Sequence, residues 1–186
     1  MKKIILIAGP SGAGKTTISN YLHRKYDIPR VVTHTTRPMR DGEKDGKDYY
    51  FEIDETFNKL HFFEHVKYGN FKYGSSREAL NNAWQKHNLV SLIVDIKGIK
   101  SYITQLKPTE FYFLYVTTST IDELKERLIR RGDSIESVKE RLSGEELNRL
   151  PEELKPYAHI LLNESWQKTT EQLDALVARL QDEKNN

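Results

Sequence analysis

Residues 9 to 16, Gly9-Pro10-Ser11-Gly12-Ala13-Gly14-Lys15-Thr16, fit the pattern GxxxxGK[ST], a spacing suited to holding a polyphosphate. Glycines let the backbone curl until several N–H groups face one anion, and a helix opening at the end of the loop adds the positive end of its dipole. Lys15 then reaches the β and γ phosphates, and the Thr16 hydroxyl stands where a Mg²⁺ ligand is needed, with Thr17 beside it. Downstream, THTTRPMRDGEKDGKDYYF (residues 33–51) sets Arg37, Arg40, Lys44 and Lys47 among Asp41, Glu43, Asp45 and Asp48. Such a stretch is either a solvated loop of mixed charge or a loop built to hold an anion, since guanidinium groups give phosphates charge-assisted, bidentate hydrogen bonds. A third set, Arg127, Arg130, Arg131 and Arg141, brackets a charged segment. Arginines closing over a γ phosphate would stabilise phosphoryl transfer, although arginines at a helix C-terminus also suit the macrodipole with no catalytic duty.

The elements that must position these residues follow from apolar patterning. Ile4 to Ala8 is too short for the core of a secretory signal and reads as a strand buried on both faces. The phosphate loop follows it, then a helix expected over residues 14–26 that stops before Asp27-Ile28-Pro29, because a residue preceding proline avoids helical geometry. Residues 30–33 (RVVT) are a further expected strand. The polar region 33–76, with short aromatic segments and many turn residues, predicts a small mixed α/β lobe. REALNNAWQKH (77–87) predicts a helix, and LVSLIVDI and EFYFLYVT predict buried strands. Thr120 and Glu123 form a capping box for a helix ending at Gly132. A charged helical excursion over 133–156, a last strand at HILLN and a final helix with Leu173, Leu176, Val177 and Leu180 on one face complete the chain.

Apolar strands alternating with helices predict an α/β fold, a P-loop three-layer sandwich with a central parallel sheet, whose ligands bind beyond the carboxyl ends of the strands. The expected division is a core nucleotide-binding domain (1–32, 77–126 and 157–186), an acceptor-binding lobe (33–76) and a helical lid (127–156). The 186 residues, 37% hydrophobic and 30% charged, suffice for one substantial core. A formal charge of +2 is too mild to predict a nucleic-acid or membrane partner, and the absence of cysteine excludes disulfides and thiolate chemistry. No apolar stretch approaches the roughly 20 residues that span a bilayer. The expectation is a soluble, cytoplasmic protein, with monomer and homo-oligomer both open.

GPSGAGKTT, HTTRPMRDGEKDGKDYYF, FFEH around Glu64 and YGSSRE from Tyr73 together resemble the guanylate kinase family, which phosphorylates GMP with ATP to give GDP and ADP. HILLN and the last helix extend the resemblance over essentially the whole chain, and the arginine stretch is its most specific part. The resemblance implies ATP and GMP as substrates, with Mg²⁺ accompanying ATP. It implies that Arg37 and Arg40, helped by Thr33, Tyr49 and Tyr73, hold the acceptor phosphate, while Glu64, Ser75 and Asp95 read the base. Guanine presents N1–H and N2–H beside O6: a carboxylate accepts from both donors, Ser75 donates to O6, and Asp95 accepts from the base amine. Adenine has no proton on N1 and would leave these groups unpaired. Lys15, Arg131 and Arg141 are the implied catalytic residues, and the acceptor phosphate oxygen itself attacks in line. Glu43 and Asp48 are expected to orient Arg37 and Arg40. The chain departs from the family's usual pattern at Ile93, where an acidic residue is usual, at Lys97, commonly glutamine, and in a shortened segment between Gly132 and Arg141. Two rival readings follow: a P-loop kinase of another phosphorylated metabolite, and a guanylate-kinase-like module that binds phosphopeptides, against which the intact Lys15 and Thr16 argue.

Overall fold

Strand β1 (Lys3–Ala8) is buried along its whole length because both of its faces are covered. Ile4, Leu6 and Ala8 point into a core shared with helices α3 (Arg77–Lys86) and α4 (Ile96–Gln105). Ile5 and Ile7 point the other way, into a core shared with α1 (Lys15–Tyr26) and α7 (Trp166–Asp182). Strict alternation of side chains along one strand thus feeds two apolar layers. Strands β6 (Leu89–Ile93) and β7 (Phe111–Thr117) flank β1, and β8 (Ala158–Leu162) completes a four-stranded, all-parallel sheet in the order β6-β1-β7-β8. The result is a three-layer α/β sandwich, described by the computed structural model over residues 2–143 and 150–182.

A second sheet, in the order β3-β2-β5-β4, is built from β2 (His34–Thr35), β3 (Tyr50–Phe51), β4 (Phe62–Tyr68) and β5 (Phe71–Ser76), with a short helix α2 (Asp54–Phe57). Residues 30–33 are not the core strand the sequence predicts. After Val31 donates to the Ser91 carbonyl at 2.8 Å, the chain leaves the parallel sheet and pairs His34 and Thr35 with β5 instead.

Helix α1 stops where expected: Asp27 adopts a left-handed conformation (φ 52°) and its N–H closes onto the His23 carbonyl at 3.0 Å. Helix α5 (Ile121–Arg130) is capped by Thr120, whose side chain accepts from the Glu123 N–H. It ends in a Schellman turn: Gly132 (φ 94°) donates to Ile129 O and Asp133 donates to Leu128 O. Helix α6 (Ile135–Ser143) and a 3₁₀ helix (Glu152–Tyr157) lead to β8. Among the described residues no helix is long and apolar enough to cross a membrane.

Candidate active site

At the carboxyl end of β1 the chain must turn tightly to start α1, and two glycines make this possible. A Cβ on Gly9 (φ 141°) would stand 1.9 Å from the Val116 carbonyl oxygen, and one on Gly14 (φ 97°) 2.3 Å from Asn163 Nδ2. Lys15 folds back over the loop, its Nζ donating to Gly9 O at 2.7 Å and Pro10 O at 2.9 Å. Thr16 and Thr17 are exposed on the first turn of α1, which carries no acidic residue to offset its positive end. A cleft of about 680 Å³ opens here, lined by Gly9, Ser11 and Lys15 of the loop together with Asp95, Lys97 and Lys100.

Asn163 is a structural partner of this loop that the sequence reading did not single out. Buried at the end of β8, it donates from Nδ2 to Ala13 O at 2.8 Å and accepts the Thr169 hydroxyl at Oδ1 at 2.9 Å. Its backbone carbonyl accepts from Arg127 Nη2. One residue therefore ties the loop to the last strand and to α7 through its side chain, and to α5 through its backbone carbonyl. A polar residue closing the apolar run HILLN, at a strand end where such folds bind ligands, was the available signal.

A second cavity, about 360 Å³, is lined by residues that include Thr33, Glu43 and Tyr49 from the arginine stretch and Ile93 at the end of β6. Ile93 also lines the phosphate-loop cleft, so one residue stands on the wall of both. Arg37 is buried beside this cavity, with its guanidinium 5.7 Å from the ring centres of both Tyr49 and Phe51. Glu43 makes the expected clamp: Oε1 accepts from Arg37 Nη2 at 2.7 Å and Oε2 from the Arg40 backbone N–H at 2.8 Å. These bonds lower the Glu43 pKa, and Glu43 in turn raises that of Arg37. Tyr73 packs edge-on against Tyr49 at 6.1 Å. Arg37, Glu43, Tyr49 and Tyr73 are brought together, whereas the Arg40 side chain lies on the exposed side of the loop. Asp48 does not orient the arginines: its carboxylate accepts from the Lys44 N–H at 2.8 Å and closes a local turn.

Glu64 and Ser75 stand opposite each other in the β4–β5 pair, and the Ser75 hydroxyl donates to Glu64 Oε1 at 3.0 Å. Burial raises the Glu64 pKa, opposed by the Ser75 bond and reinforced by the charge of Asp95. Asp95 caps α4, accepting from the Gly98 N–H at 2.6 Å, while also lining the cleft. Nearby, His34 bridges Glu52 (2.9 Å) and Ser76 (2.8 Å), a spacing reminiscent of a hydrolytic relay. Ser76 is fully buried and caps α3 through the Ala79 N–H, so the trio anchors β2 to β5.

The arginines around the charged excursion are engaged elsewhere. Arg131, more than half exposed, is paired bidentately with Asp133, and Arg130 pairs with Glu126 at 3.0 Å. Arg141 falls within α6, and its side chain lies outside the described residues.

A family model described as guanylate kinase matches residues 1–180. A guanylate kinase of Legionella pneumophila (strain Lens) is 34% identical over 182 residues, covering 94% of this chain and 84% of that protein. One of Campylobacter jejuni (strain RM1221) is 33% identical over 184 residues, covering 94% and 87% respectively. The crystal structure of guanylate kinase from Anaplasma phagocytophilum shares the fold, with a TM-score of 0.64 and 24% identity over 96% of this chain and 85% of that one.

Proposed function

The chain belongs to the guanylate kinase family, and from that premise we propose that it transfers the γ-phosphoryl group of ATP to GMP, giving ADP and GDP. The observation that carries this reading is the common wall: Ile93 lines both the phosphate-loop cleft and the cavity beside Arg37, so a donor and an acceptor phosphate would lie on either side of one strand end. In the proposed reaction Lys15 exchanges the Gly9 and Pro10 carbonyls for the β and γ phosphates. Arg37, held by Glu43 and joined by Thr33, Tyr49 and Tyr73, binds the acceptor phosphate, and Arg40 turns in to it from the exposed side of the loop. Glu64 accepts both guanine N–H donors, Ser75 donates to O6 and Asp95 accepts from the base amine. An acceptor phosphate oxygen then attacks the γ phosphorus in line, and the bond to the ADP oxygen breaks.

Mg²⁺ suits this donor set as an ion carried by the nucleotide. The chain offers the Thr16 hydroxyl, and among the described residues no group of three or more His, Asp or Glu side chains could hold a metal. When bound, the ion neutralises charge on the β and γ phosphates. Arg131 exchanges Asp133 for the γ phosphate, with Arg141 joining from α6, as the lid (127–156) and the GMP-binding lobe (33–76) close over the core and exclude water. This reading takes the enzyme as cytoplasmic. Coupled measurement of ADP release with GMP, dGMP, AMP, CMP and UMP tests it. GMP-dependent turnover is expected, and its absence in protein that still binds ATP would overturn the assignment.

A further inference from the structure

Tyr102 is among the largest fully buried side chains of the protein, yet its phenolic oxygen makes no hydrogen bond to any described residue. Phenylalanine would fill the same space without desolvating a hydroxyl, so an oxygen held there without a partner calls for a use. Its location suggests one. Tyr102 stacks on Phe63, with ring centres 4.2 Å apart, in the strand that carries Glu64. It lies four residues after Gly98 on α4, and therefore on the same helix face. A Cβ on Gly98 would stand 3.3 Å from Glu64 Cγ, so that face is pressed against Glu64. Long side chains on helices lean toward the N-terminus, which carries the Tyr102 hydroxyl back over the Gly98 turn toward the Glu64–Ser75 pair. Ser75 and Glu64 are the polar side chains that act on the phenol. Burial raises its pKa, so it stays a protonated donor.

We propose that Tyr102 is a positioning residue of the acceptor-base site, whose hydroxyl donates to Ser75 when an oxopurine is bound. The inference rests on the function proposed above. Without ligand, Ser75 donates its proton to Glu64. When the base brings two N–H donors to Glu64, the Ser75 proton turns to O6 and leaves the serine oxygen as an acceptor in a dry site. The Tyr102 hydroxyl supplies the donor for that oxygen, and every proton in the chain Tyr102–Ser75–O6 is used. A 6-aminopurine brings no N1–H to Glu64 and no acceptor to Ser75, so the Ser75 proton stays on Glu64 and the serine–base bond that Tyr102 supports does not form. Tyr102 thus adds to discrimination between oxo and amino bases without touching either.

The test is a double-mutant cycle of Tyr102→Phe and Ser75→Ala, with steady-state kinetics for GMP, IMP and AMP. IMP retains O6 but lacks the 2-amino group, which isolates the relay from one of the Glu64 contacts. Tyr102→Phe is expected to raise KM for GMP and IMP about three- to tenfold, the range of one neutral hydrogen bond, with kcat unchanged. KM for AMP should stay level or fall. The increase should vanish in the Ser75→Ala background, and the thermal midpoint of Tyr102→Phe should equal or exceed that of the unaltered protein. An unchanged KM for GMP, or an equal rise with and without Ser75, overturns the relay. Failure of the unaltered protein to turn over GMP would sink the proposed function itself, and the relay with it.

Discussion

Replacing Asn163 with alanine tests whether the phosphate loop is held in shape by one buried amide. The side chain serves two partners, the Ala13 carbonyl and the Thr169 hydroxyl, both on residues with no exposed surface. Removing it orphans both. Each buried polar group left without a partner costs about 1–3 kcal/mol, so the pair should cost about 2–5 kcal/mol after partial relaxation. For a chain of this size about 1 kcal/mol shifts Tm by roughly 2–4 °C, and a fall on the order of 10 °C is expected by differential scanning calorimetry. The functional consequence is separate. The Ala13 carbonyl belongs to the same peptide plane as the Gly14 N–H, so a carbonyl free to rotate turns that N–H away from a bound phosphate. A hydrogen bond to a charged group contributes about 1.5–3 kcal/mol, and KM for ATP should rise by about tenfold or more. Asn163→Asp provides an isosteric control: one carboxylate oxygen still accepts from Thr169, but the other faces the Ala13 carbonyl, acceptor against acceptor. It should fail as badly as alanine. Asn163→Ala within about 0.5 kcal/mol of the unaltered protein, the ordinary range for a surface substitution, together with an unchanged KM for ATP, would refute the reasoning.

Glu43→Gln leaves one carbonyl oxygen for two donors and sets an amide N–H against either Arg37 or the Arg40 backbone, so KM for GMP should rise about tenfold or more while KM for ATP holds, as steady-state kinetics can show. Glu64→Gln should remove GMP turnover while leaving ATP binding by calorimetry intact. Because burial raises the folded-state pKa of Glu64, its ionised form opposes folding above that pKa, and the opposition is relieved as pH falls through it. Glu64→Gln should therefore raise Tm at neutral pH, and KM for GMP in the unaltered protein should climb as Glu64 is protonated on the acid side. Gly9→Ala should yield unfolded or ATP-incompetent protein by circular dichroism and binding, since its Cβ would sit 1.9 Å from the backbone oxygen of Val116. Asp174 is held down to about 2 by Lys25, Tyr21 and Tyr26, so its contribution to stability is present above its ordinary value of 3.8 and is lost as pH falls toward 2. Asp174→Asn should flatten that part of an acid-denaturation profile.

Much of the core was legible because its signals are local. The apolar run at Ile4–Ala8, the helix behind it, the strands at LVSLI, FYFLYVT and HILL, and the Gly132 stop all lie close to where patterning predicts them. Residues 30–33 misled because β-branched residues mark a strand without marking its partner. The chain makes one parallel bridge at Arg30 and then leaves for a different sheet. Asp48 misled for a related reason: a carboxylate four residues beyond a free backbone N–H serves its own turn before it reaches an arginine.

By itself the sequence determined the parallel α/β core, the phosphate loop and the residue types able to hold an anion, since each depends on spacing within one segment. Tertiary structure decided which of these residues meet. It clamped Arg37 with Glu43 yet left the Arg40 side chain outside, and it placed Ile93 on the wall of two cavities. It also tied Asn163 to Ala13 across 150 positions of chain and buried Tyr102 against Phe63 in the strand that carries Glu64. Such pairings arise because buried polar groups must find partners wherever folding brings them, and periodicity along a chain carries no record of which distant segment supplies them.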